Sequence, residues 1–198
     1  SLAINPDEPW AQHAIAHVCL TEGRITEGRS FLAARSSGWE GLNSFMSTHL
    51  WWHLALFMLS EGALEEALSV YDRSIWGNDK TYSQDQVGAA SMLARLEIAN
   101  IDVGLRWLDV AEHISKRGGD ATEPFLTAQY VLCLAKAGRD EVEAMFAAVS
   151  ERARVEGTSG VWSRVAAPLC AAMRAWASGA YGQCRSLLAP LLPQLREV

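Results

Sequence analysis

Apolar residues recur at helical spacing along nearly the whole chain. In "HLWWHLALFM", Trp51, Leu54, Ala55 and Met58 fall at i, i+3, i+4 and i+7, which is one apolar stripe along a helix. "WAQHAIAHVCL" places Ile15, Ala16 and Cys19 in the same way. No run alternates apolar and polar residues between turn signals, so the pattern predicts helices and no strands. Those helices are short and regularly interrupted. "LTEGRITEGRSFLAA", "LSEGALEEALSVYD", "LAKAGRDEVEAMFAAV" and "WASGAYGQCRSLLAP" each set an apolar helix, a glycine break and a second helix in order. In "LEIANIDVGLRWLDVAE", Ala99-Asn100 stands where the others have glycine. The breaks fall at residues 23, 62, about 100, 138 and 179, a period near 40 that signals stacked helix-turn-helix units. The predicted fold is all-α: a tetratricopeptide-like helical-repeat solenoid of about five antiparallel helix pairs, with residues 1–198 forming one domain.

Within a unit, each position has a local reason. Gly62 supplies a left-handed cap to the helix before it. Ala67 allows close approach of the second helix, and Tyr71 fills the space beside it. Stretches such as "SSGWEGLNS", "WGNDKTYSQD" and "KRGGDATEP" separate the pairs. In "INPDEP", Asp7 is the expected N-cap, with Pro9 in the first helical turn. "SLAINP" reads as the tail of a preceding helix, and the chain as a piece of a longer repeat protein.

Composition narrows the partners. Hydrophobic residues make up 49% and charged residues 20%, ordinary for a globular chain. A net charge of −6 with no basic stripe argues against nucleic acid. The longest apolar stretches fall well short of the roughly 20 residues that a spanning helix needs, so no membrane partner is expected. Cys19, Cys133, Cys170 and Cys184 form no C-x-x-C and sit in apolar helical contexts, which predicts reduced, buried thiols in a cytoplasmic protein.

Four of the five histidines form two i, i+4 pairs, His13/His17 and His49/His53. Both pairs lie on the first helix of their unit, on the stripe next to the core stripe, and share it with Trp10 and Trp52. In a helix-pair solenoid that stripe turns toward the concave face. Three readings compete: packing at the junction of two units, a ligand pocket, and a metal or catalytic site, since imidazoles one helical turn apart can share an ion. No H-E-x-x-H supplies an acid beside either pair, which favours packing first and a pocket second. No catalytic residue, metal or cofactor is therefore assigned. The rest of the inner stripe, from Ala89, Leu93 and Leu96 through Phe125, Ala128 and Leu132 to Leu169, Met173 and Trp176, is apolar.

The function expected is a scaffold that binds a protein or peptide partner, or an apolar or aromatic small molecule. Its contact residues would be Trp10, His13, His17, His49, Trp52 and His53. A homodimer through uncapped helix ends is a further expectation. The alternative is an enzyme with its pocket built from the two H-x-x-x-H pairs. Elsewhere, Arg95 is expected to pair with Asp72 or Asp109, and His113 to face solvent.

Taken in order, "INPDEPWAQHAIAHV", "GRITEGRSFL", "HLWWHLALF", "ALSVYD", "LARLE" and "VGLRWLDVA" resemble the tetratricopeptide repeat protein 38 family over nearly the whole chain. The resemblance implies a mostly helical, tetratricopeptide-like protein in which His13, His17, His49, Trp52 and His53 are signature positions. It also implies a longer protein, extending past both ends of this chain. Where that family has an Asp and a His after a Phe, this chain reads "FLTAQY", with Thr127 and Gln129.

Overall fold

A computed structural model describes residues 3–77 and 79–194. Among these residues there are helices and no strands, as the apolar periodicity predicts. Ser1 and Leu2, the start of the segment read as a helix tail, lie outside the described residues. The chain forms two compact bodies, Ser1–Val103 and Gly104–Val198. The first holds α1 (Pro9–Thr21), α2 (Ile25–Ala33), α3 (Ser44–Ser60), α4 (Leu64–Val70) and α5 (Ser83–Ile98). The second holds α6 (Arg106–Ile114), α7 (Pro124–Lys136), α8 (Glu141–Glu156), α9 (Ala167–Ala177) and α10 (Tyr181–Leu188). No described helix is long and apolar enough to cross a membrane.

The five breaks share one backbone device. Gly23, Gly62, Asn100, Gly138 and Gly179 all have positive φ, Asn100 at 63° without being glycine. At each, the next amide donates back across the turn: Arg24 to the Cys19 carbonyl, Ala63 to Met58, Ile101 to Leu96, Arg139 to Leu134 and Ala180 to Ala175, all at 2.8–2.9 Å. This Schellman arrangement satisfies carbonyls that a helix end leaves orphaned. Each of the five accepting residues is a buried apolar one, so every first helix ends with its last turn anchored in the core.

Helix starts follow a second rule. The carboxylate of Glu8, not that of Asp7, caps α1, accepting from the Trp10 and Ala11 amides ahead of Pro9. Glu123 does the same ahead of Pro124 in α7, accepting from Phe125 and Leu126. The longer Glu side chain reaches the free amides from directly before the proline, a position Asp7 does not occupy. Asn43 caps α3 by accepting from the Met46 amide at 3.0 Å.

In the first body, α1, α2, α4 and α5 all pack on α3. Its core includes Ala16, Cys19, Leu32, Leu50, Leu54, Ala55 and Phe57, all 2% exposed or less. Gly28 on α2 lets the helices close: an added Cβ would sit 2.2 Å from the Phe57 ring and 2.9 Å from Cys19 Cβ. Ala67 and Tyr71 are both buried, as the small-then-large pattern predicts, and Tyr71 opens a π-helical turn, Tyr71–Ile75, that packs on α3. Three side-chain hydrogen bonds tie the body together. Trp39 Nε1 donates to buried Gln12 Oε1 at 2.8 Å, and the Ser44 and Thr48 hydroxyls of α3 donate to buried Asp85 of α5.

In the second body, α9 packs between α7 and α10, and α6 packs on α7. All four cysteines are buried, free thiols, and burial pushes those of Cys170 and Cys184 up, Cys170 to about 12. Of the nine residues of the expected open inner stripe, Ala89, Leu93, Leu96, Ala128 and Leu132 are 5% exposed or less, while Leu169, Met173 and Trp176 are half-buried. The first five are core, and Phe125 is 59% exposed.

Candidate metal centre

α1 brings His13 and His17 to one face because they are one turn apart, and α3 does the same with His49 and His53. The packing of α1 on α3 then turns the two faces together. The four imidazoles meet nitrogen to nitrogen. His17 Nε2 lies 2.9 Å from His13 Nε2, which lies 3.0 Å from His49 Nε2, which lies 3.2 Å from His53 Nε2. One nitrogen from each ring falls within 4.8 Å of all the others. The rings radiate from this point, with centroids 4.4–4.9 Å apart.

Hydrogen bonding cannot account for this pattern. A ring nitrogen carries either one proton or one lone pair, so it serves one in-plane partner. His13 Nε2 and His49 Nε2 each have two nitrogen neighbours. At most two of the three contacts can be hydrogen bonds at once. The remaining one brings two like groups to about 3 Å, an arrangement with no attraction of its own.

Electrostatics hold the inner rings neutral. His49 is pushed down to about 4 by burial first and by His13 and His17 second. His53, 1% exposed, is pushed down to about 2 by burial and then by the other three imidazoles. His13 is lowered by burial and by His17. His17 is exposed and forms the open edge of the cluster. The opposite nitrogen of His53, Nδ1, is buried without a partner. That ring thus has no fully satisfied hydrogen-bonding state, at a cost of about 1–3 kcal/mol unless Nε2 finds a stronger partner.

An aromatic collar fixes the ring planes. Phe45 stacks on His49 at 5.0 Å, Trp52 lies parallel to His49 at 5.6 Å and edge-on to His53 at 5.2 Å, and Trp10 meets His13 edge-on at 5.8 Å. Trp52 Nε1 donates to Ser91 Oγ, which sets its plane. All six residues singled out from the sequence therefore belong to one site.

Other expectations fare differently. Arg95 donates to the Ser91 carbonyl one turn back on its own helix and lies over the Trp52 ring at 5.2 Å, in place of the expected ion pair. His113 is half-buried on α6, not solvent-facing. Thr127 is buried with its hydroxyl on the Glu123 carbonyl, and Gln129 Oε1 is buried without a partner. Asp85 went unnoticed in the sequence. It lines a small void beside His49 and Trp52, and burial raises its carboxyl against the lowering effect of Ser44 and Thr48. No family model and no solved structure matches the chain.

Proposed function

We propose that this chain is a metal-binding helical-repeat protein, whose His13, His17, His49 and His53 hold one divalent first-row transition-metal ion between α1 and α3. The chain of Nε2 contacts carries the reading, because one ion satisfies all four lone pairs where hydrogen bonds satisfy at most two contacts. Imidazole-only donor sets suit zinc, copper, nickel and iron. Ligands must bind deprotonated, and His49 and His53 are already neutral well below pH 7. On our reading metal binding thereby moves ahead of packing and of a partner-binding scaffold, whose support was an open apolar stripe of which five of nine residues are buried. We also infer a tetratricopeptide-like stacking of helix pairs from the five like turns near 40 residues apart, and kinship with the tetratricopeptide repeat protein 38 family from the sequence resemblance alone.

Cobalt titration tests the site. One equivalent of Co²⁺ is expected to saturate it and give visible ligand-field bands, both lost in a His13→Ala/His53→Ala variant that keeps its helical circular dichroism. No saturable binding, or binding indifferent to that variant, would overturn the proposal.

A metal-dependent enzyme is the second reading, favoured by the spacing of the nitrogens. At a metal–nitrogen distance of about 2.0–2.1 Å, a tetrahedral set has edges of about 3.3–3.4 Å. Three of the six edges are 2.9–3.2 Å while the set as a whole spreads over up to 4.8 Å, so the nitrogens do not close a regular tetrahedron and a further ligand could enter near exposed His17. Azide would then shift the cobalt bands; bands indifferent to azide would argue for a closed site.

A further inference from the structure

Beside the imidazole cluster lies a cavity of about 520 Å³ whose chemistry differs from that of the cluster. Three of its walls are aromatic: Trp10, Phe45 and Tyr82. Trp10 and Tyr82 are 58% and 42% exposed, which leaves large ring faces uncovered by the chain's own side chains. Phe45 and Tyr82 stand 6.4 Å apart between ring centroids. Asp79, Asn43 and Gln84 supply polar groups, and no lysine or arginine lines the space. The nearest cation in sequence, Lys80, extends over the Trp76 ring, which is not among the lining residues.

The acid edge is held in place. The Asp79 amide donates to Ser44 Oγ at 3.1 Å, and the same hydroxyl donates to buried Asp85, so the segment carrying Asp79 is pinned to the start of α3. Asp79 Oδ1 accepts from the Thr81 amide and hydroxyl. Those bonds, with a smaller contribution from the Tyr82 amide, keep the carboxyl below its ordinary range and therefore ionised. Aromatic faces attract cations through their quadrupole, by about 0.5–2 kcal/mol per ring, and a nearby carboxylate acts in the same direction.

We propose that this cavity binds a small organic cation, an amine or quaternary ammonium carrying an apolar body, with Trp10, Phe45 and Tyr82 around the cationic head and Asp79 as its counter-charge. The volume lies within the range of small-molecule sites. The site adjoins the imidazole cluster through Phe45 on His49 and Trp10 on His13, and it uses none of the four histidines. It therefore stands whether or not the cluster binds metal.

The test is a titration with benzyltrimethylammonium and, separately, benzenesulfonate, followed by tryptophan fluorescence and calorimetry, on the metal-free chain and again with one equivalent of Zn²⁺. The cation is expected to bind saturably and the anion at least tenfold more weakly. Asp79→Asn, which keeps the acceptor for Thr81, is expected to weaken the cation five- to tenfold, and Tyr82→Ala to weaken it similarly, with cobalt stoichiometry at the imidazole cluster unchanged in both. Equal binding of cation and anion, no binding of either, or an Asp79→Asn variant that binds the cation as tightly as the parent would each overturn the proposal.

Discussion

Burial at His49 and His53 decides which protons compete with a metal ion. Both rings are neutral in the folded chain far below the pH at which a free histidine ionises. In the unfolded chain they regain an ordinary value near 6.5. The folded pKa is the lower one, so the contribution to stability is fully present above about pH 6.5 and is lost as pH falls toward the folded values. Between about pH 6 and pH 4.5, each of the two imidazoles should cost the metal-free protein about 1.4 kcal/mol per pH unit. The exposed pairs of Glu61, Glu141 and Glu151 hold their carboxylates low and act at more acid pH, while Asp85, raised by burial, works in the opposite sense. Urea unfolding across this range, on the parent and on His49→Gln/His53→Gln, isolates the imidazoles. A steep parent profile and a flatter variant profile are expected; parallel profiles would refute the neutral-imidazole assignment.

At the scale of elements, the closest approach of α2 to its neighbours occurs at Gly28. Its missing side chain makes room for Phe57, and Gly28→Ala forces that ring to move. Overpacking of this kind costs about 1–3 kcal/mol, enough to lower the thermal midpoint by several degrees. Phe57→Leu in the same chain should recover part of the loss, and a Gly28→Ala variant as stable as the parent would contradict the packing. The sequence held much of this level in readable form. Helical periodicity fixes the helix faces, the x-G-x-x breaks fix the turns, and the i, i+4 pairs put two imidazoles on each face, because all three are local rules. The rest depends on contacts between residues far apart in the chain. That the two histidine faces meet at their nitrogens, with His13 and His49 in contact across 36 positions, follows from how α1 lies on α3. The burial of Leu93 in the first body and of Leu132 in the second is of the same kind, as is the burial of Asp85 beneath two hydroxyls. The choice of Glu8 over Asp7 as cap turned on side-chain reach, which letter patterns do not carry.

For the molecule as a whole, the cluster and the cavity both belong to the first body, and the net charge of −6 favours approach of cations to it. An ion held by α1 and α3 binds the folded state alone, so it stabilises that body in proportion to the logarithm of its concentration. The central claim is that the four imidazoles are ligands of one ion and not neighbours in a packed core. Crystals of the zinc-loaded protein, with diffraction recorded on both sides of the zinc absorption edge, test it most directly. The account predicts a single anomalous peak about 2.0–2.2 Å from Nε2 of His13, His49 and His53, with His17 completing the set. A cluster that keeps its nitrogen contacts at millimolar zinc with no anomalous density among them would contradict it.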